Sequence, residues 1–127
     1  MPTILVTGFE PFGRDRVNPS AEIAQALARD LSGGELGGAR IATRVLPVSR
    51  KQIFQELDRA LEETRPQAVV GLGLADGRSV VSVEERAVNL ESYPIPDNDG
   101  EQPSALPSQP GGPDSLPGTF PTDELVD

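Results

Sequence analysis

The chain has 127 residues, with 11 Lys+Arg against 20 Asp+Glu and neither cysteine nor histidine. A formal charge of −9 argues against a nucleic-acid groove or an anionic membrane surface as partner, since both need clustered Lys and Arg. Without thiol or imidazole, neither Ser-His-Asp nor Cys-His machinery can be complete within these residues, and a metal would have only oxygen ligands.

No spaced Asp/Asn loop suggests such a metal, and no cofactor is expected. Met1 leads directly into the apolar run Ile4-Leu5-Val6, with no positively charged leader and no stretch of membrane-spanning length. A cytoplasmic protein is the expectation.

Taken in chain order, Thr3 to Thr7 reads as a buried strand ended by Gly8. Asn18-Pro19 has the form of a helix cap followed by proline in the first turn. Ile23, Leu27 and Leu31 then recur at helical spacing, and Gly33-Gly34 stops the helix. Ile41, Thr43 and Val45 alternate as a strand should. Ser49-Arg50-Lys51-Gln52 has capping-box form, with Ile53, Leu57 and Leu61 as the apolar stripe behind it and Pro66 as its stop. Ala68 to Leu72 is a second short buried run. Val81 and Val83, alternating with Ser82 and Glu84, predict a fourth strand. Strands alternating with amphipathic helices imply an α/β fold, a three-layer sandwich around a largely parallel twisted sheet.

The composition changes along the chain. Residues 87–127 carry 8 acidic and no basic residues, and eight of the 13 prolines follow Tyr93. Such a stretch buries too little apolar surface to offset its ordering entropy, so residues 91–121 are expected to form a mobile loop within a single α/β domain over residues 1–127. A loop ordered by a substrate or partner is the alternative. Pro121-Thr122-Asp123-Glu124 reads as a helix start with acids in its first turn, and the chain stops before two turns are complete. The domain is therefore expected to be incomplete at its C-terminus.

In doubly wound sheets, ligands bind beyond the carboxyl ends of the strands. Three segments lie there. In Thr7-Gly8-Phe9-Glu10-Pro11-Phe12-Gly13, two of only four phenylalanines flank a proline, and they either wall a small apolar pocket or cap the core. The glycines around Leu72 and Leu74 lack the G-x-G-x-x-G spacing and precede a strand-like run instead of a helix, which argues against nucleotide binding. Glu84 stands where a carboxylate either orients an imidazole or is a solvated surface group.

The stretches TGFEPFG with the following NPS, then GLADGR, VEERAVNL and IPDNDGEQP, together resemble the pyroglutamyl peptidase I family (pyrrolidone carboxyl peptidases) in order and spacing. The resemblance covers nearly the whole chain. It implies a cytoplasmic thiol protease, an omega peptidase that removes N-terminal pyroglutamate from peptides and that forms a homotetramer in many members. By motif, Glu84 matches the catalytic glutamate, Phe9 and Phe12 the aromatic walls around the pyroglutamyl ring, and Ile95 an apolar residue of that pocket. Leu74 stands where the family usually has a glutamine whose amide bonds the lactam, a bond that leucine cannot make. Asp97 and Asn98 receive no catalytic step, and the role of Arg78 is left open. The family's cysteine and histidine fall beyond Asp127. By this resemblance the chain supplies the glutamate and part of the pocket; alone, the 127 residues are expected to be inactive. The alternative is a non-catalytic pyroglutamyl- or peptide-binding or assembly fragment.

Overall fold

The computed structural model describes residues 1–31 and 34–125. They divide into two compact units, one of Met1–Leu74 with Ile95–Glu101, the other of Ala75–Pro94 and the residues from Gln102 onward.

The first unit holds a four-stranded sheet and two helices. The elements are β1 (Thr3–Phe9), α1 (Pro19–Asp30), β2 (Glu35–Leu36), β3 (Ala39–Leu46), α2 (Ile53–Thr64) and β4 (Ala68–Gly71). The strand order is β2-β3-β1-β4, with β1 parallel to both β3 and β4, and β2 antiparallel to β3. The chain passes from β1 to β3 on one side, then returns across β1 to β4 on the other. Crossovers of uniform hand then put α1 and α2 on opposite faces. Two adjacent positions of the register bear this out. A Cβ on Gly8 would lie 2.3 Å from the Ser20 carbonyl oxygen, so the face of Gly8 and Val45 meets α1. The next position along, Thr7 with Arg44, turns to the other face, where Arg44 reaches Glu63 of α2 at 3.1 Å. This is an α/β fold of three layers around a mostly parallel sheet.

Leu5 is fully buried at the centre of β1, with Val6 and Thr7 beside it. Helix α1 starts as its sequence predicts. Asn18 is the cap, its side chain accepts from Ser20 N–H at 3.0 Å, and Pro19 opens the first turn. Its inner face differs from the predicted stripe. Ser20, Ala21 and Ala24 are buried, whereas Ile23 is exposed, because the close approach at Gly8 admits only small side chains. Gly33, part of the predicted stop, lies outside the described residues. The turn leading into α2 carries half of the predicted capping box: Gln52 N–H donates to Ser49 Oγ at 3.1 Å, but the Gln52 side chain turns to Asp99 Oδ2 at 3.3 Å. Ala60 is the buried residue of that helix, and Arg65 ends it in the left-handed region at φ 45° before Pro66.

Among the described residues strand β4 pairs with β1 alone; Val69 is exposed, and the run Ala68 to Leu72 is less covered than its apolarity implied.

The second unit is built differently from the expectation. Residues 81–84 form no strand, and Val81 is 96% exposed. Alternation supplies a face but not a partner, and here the ladder begins only at Arg86. Strand β5 (Arg86–Val88) pairs antiparallel with β6 (Ser115–Pro117), which comes from the proline-rich segment. Asn89 and Gln109 exchange two hydrogen bonds of 2.8 Å, and Glu91 bridges to Leu106. A single turn, α3 (Thr122–Leu125), follows; Val126 and Asp127 of the predicted helix lie outside the described residues. Among the described residues, no helix is long and apolar enough to cross a membrane.

Candidate functional site

Strand β1 lies between β3 and β4, and the connections leaving toward those two neighbours run in opposite directions. That is the switch point at which α/β sheets open a crevice beyond their carboxyl ends. Two loops flank it. One follows β1, from Phe9 through Phe12 to Gly13. The other follows β4, where Leu72 N–H still bonds the Thr7 carbonyl at 2.8 Å before the chain leaves through Gly73 and Leu74. Phe9, Phe12 and Leu74 are each half-buried.

The loop after β1 is held from several sides. Phe9 N–H donates to Ser20 Oγ at 2.9 Å, and that hydroxyl donates to Asn18 Oδ1 at 2.7 Å. Asn18, 1% exposed, sends its Nδ2 to the Glu10 carbonyl at 3.2 Å. The cap of α1 thus also anchors the last residue of the strand and the one after it. Glu10 N–H continues the pairing to the Leu46 carbonyl at 3.0 Å.

The segment 95–101 returns to this unit and closes on the same loop. Gly13 has φ 64°, and a Cβ there would lie 2.9 Å from Ile95 Cδ1, so the loop's left-handed turn packs directly on the Ile95 side chain. Asn98 Nδ2 donates to Glu10 Oε1 and to the Pro11 carbonyl, each at 3.0 Å, while Asn98 N–H donates to the Val48 carbonyl at 2.9 Å. Three of the predicted pocket residues, Phe9, Phe12 and Ile95, therefore sit on segments tied into one network, and Leu74 follows the neighbouring strand.

Asp97 organises the returning segment. It is buried, and its carboxylate accepts from Arg50 N–H at 2.7 Å, Asp99 N–H at 2.9 Å and Glu101 N–H at 3.0 Å. The Arg50 amide is the main influence, and with those of Glu101 and Asp99 and the charge of Lys51 it holds the carboxyl below its usual 3.8, against the opposing pull of burial. Ser49 Oγ donates to Asp99 Oδ2, which binds the start of α2 into the same turn.

Glu84 belongs to the second unit. It lies outside regular secondary structure two residues before β5, its side chain is 73% exposed, and its Oε1 accepts from Arg78 Nη1 at 3.1 Å. An ion pair this open to water contributes about 0–1 kcal/mol to stability. Glu84 therefore stands as an accessible carboxylate oriented by Arg78, whose role the sequence left open. Among the described residues no group of three or more acidic side chains is disposed to hold a metal ion.

Sequence reasoning read Asn18 only as a helix cap and gave Glu10 no part. The signal for Glu10 was its place inside the Gly-bounded loop; nothing local pointed to its partners.

The sequence profile described as Pyroglutamyl peptidase matches residues 2–127. A pyrrolidone-carboxylate peptidase of Pyrococcus furiosus is 41% identical over 123 residues, covering 97% of this chain and 57% of that protein. One from Gloeobacter violaceus is 43% identical over 123 residues, covering 97% of this chain and 58% of its own length. Among solved structures, pyrrolidone carboxyl peptidase from Thermococcus litoralis superposes with a TM-score of 0.91 at 42% identity, covering 98% of this chain and 55% of that one. The Thermus thermophilus enzyme gives 0.85 at 44%, covering 96% and 60%. The chain thus spans somewhat over half the length of the relatives it matches. With its profile matched from residue 2 to residue 127, the chain belongs to the pyroglutamyl peptidase family.

Proposed function

We propose that these residues supply the acid and part of the ring pocket of a cysteine-type omega peptidase that removes N-terminal pyroglutamate from peptides. What supports this reading is that the loops bearing Phe9, Phe12 and Leu74 follow the neighbouring strands β1 and β4, and that Gly13 of the first packs on Ile95. A flat, uncharged lactam suits such a place: aromatic and aliphatic side chains can cover its faces, and loop backbone groups can meet its amide. Leu74 has no side-chain amide to bond the lactam.

The cysteine and histidine of this reading lie beyond residue 127. The thiolate attacks the pyroglutamyl carbonyl, the peptide amine leaves with a proton from the imidazolium, and water hydrolyses the thioester to free pyroglutamate and thiol. Glu84 accepts the imidazole's other N–H, keeping it in the working tautomer and stabilising the imidazolium. A cytoplasmic location and a homotetrameric assembly complete the reading.

The test uses a chromogenic pyroglutamyl amide. The protein at its natural length should release the chromophore and lose that activity on thiol alkylation, while the 127 residues alone should release none, having neither thiol nor imidazole. Thiol-dependent turnover by the 127 residues alone would overturn this division of roles. Binding of pyroglutamyl peptides without turnover at natural length would favour a non-catalytic binding protein.

A further inference from the structure

Glu10 meets a different element with each of its polar groups. Its N–H bonds the end of β3 at Leu46, its carbonyl accepts from the α1 cap at Asn18, and its carboxylate serves two further segments. Both carboxylate bonds fall on one oxygen, Oε1, which accepts Val48 N–H at 3.2 Å and Asn98 Nδ2 at 3.0 Å. Asn98 N–H returns to the Val48 carbonyl, which closes a ring of three residues from three loops. The next residues, Pro11 and Phe12, need this support. Proline has no N–H to give, and the Pro11 carbonyl is held by the same Asn98 amide. On the far side of Phe12, Gly13 rests on Ile95.

We propose that Glu10 and Asn98 are positioning residues for the ring pocket: their hydrogen-bonded junction fixes the Phe12 loop against Ile95 in the shape that receives the ring. The proposal rests on the pyroglutamyl reading of the pocket and adds that its shape is set by an acceptor and a donor amide that need not touch the ring. Because one oxygen accepts both bonds, a carboxamide oxygen can replace it; the requirement is for an acceptor, not for charge.

The experiment compares Glu10→Ala, Glu10→Gln and Asn98→Ala in the protein at its natural length, with kcat and KM for a pyroglutamyl amide and backbone amide exchange at Val48 and Phe12–Asp15. Glu10→Ala and Asn98→Ala should each raise KM by about five- to twentyfold with kcat changed less than about twofold, and should speed exchange at those amides. Glu10→Gln should recover most of the loss. Asn98 is exposed, so its truncation tests the junction even if Glu10→Ala does not fold. Faster exchange with unchanged KM, or a Glu10→Gln defect equal to that of alanine, would overturn the proposal while leaving the pyroglutamyl reading standing. A wild-type protein that neither binds nor cleaves pyroglutamyl amides would remove both.

Discussion

The side-chain amide of Asn98 lies 3.0 Å from the carboxylate of Glu10, although 88 residues separate them in the chain. The contact joins the loop after the central strand to a segment that leaves the first unit at Leu74 and returns to it at Ile95. Phe9 and the two neighbours of Phe12, Pro11 and Gly13, meet groups outside their own loop, and the returning segment is held by Asp97, which accepts three backbone N–H groups in the turn from which Asn98 projects.

Asp97 has a pH signature. Its carboxyl is held below the usual 3.8, so the folded state binds the proton less readily than the unfolded state. Its contribution to stability is then fully present above about pH 5 and lost as pH falls through the ordinary carboxylate range toward its lowered value. Asp97→Asn should destabilise the protein at pH 7 by about 2 kcal/mol, since a carboxamide turns an N–H₂ toward backbone donors. The deficit should shrink as both proteins are taken below pH 4. Thermal unfolding across that range checks it; a constant deficit would detach the effect from the charge.

Phe9→Ala should raise KM for pyroglutamyl amides by about tenfold, with kcat less affected, because it removes a wall of the pocket and no reacting group. Steady-state kinetics at natural length separate the two parameters, and a loss confined to kcat would count against a pocket role.

Glu84→Gln should lower kcat on the order of a hundredfold or more with a smaller change in KM, as expected when an imidazole loses its orienting carboxylate. The adjacent Glu85, also exposed, serves as the control, and Glu85→Gln should change kcat less than about twofold. Equal and mild effects from the two substitutions would return Glu84 to an ordinary surface carboxylate.

Much of the first unit was legible because local signals agreed with tertiary packing. The apolar run of β1, the Asn18-Pro19 start of α1 and the Ser49 cap before α2 each name an element by a mechanism that acts over a few residues. Ile23 was misread because helical spacing identifies an apolar face without saying how near the sheet stands. At Gly8 it stands too near for anything larger than Ser20, Ala21 and Ala24. The strand expected over residues 81–84 has no pairing partner among the described residues, and β6 was hidden by its brevity and its proline at Pro117. The Phe9, Phe12 and Ile95 positions came from motif resemblance. The Glu10–Asn98 junction that links them depends on contacts between distant segments, which no local periodicity records.

Residues 91–121 carry eight prolines and no basic residue. Their amides should exchange faster than those of Leu5–Thr7 in β1, apart from hydrogen-bonded ones such as those of Asp97–Glu101, Glu91, Leu106 and Gln109. Hydrogen exchange followed residue by residue checks this. Protection over the whole segment equal to that of β1 would show an ordered loop.

The central claim is that the pocket beyond β1 and β4 receives a pyroglutamyl ring and presents it for amide cleavage. The most direct measurement sets a pyroglutamyl amide beside the matching prolyl amide, which has the same five-membered ring but a cationic amine in place of the lactam. The protein at its natural length should cleave the pyroglutamyl amide at least about a hundredfold more efficiently in kcat/KM, because the side chains proposed to meet the ring, those of Phe9, Phe12, Leu74 and Ile95, carry no charge to pair a cation. Equal cleavage of the two, or cleavage of neither, would contradict the account.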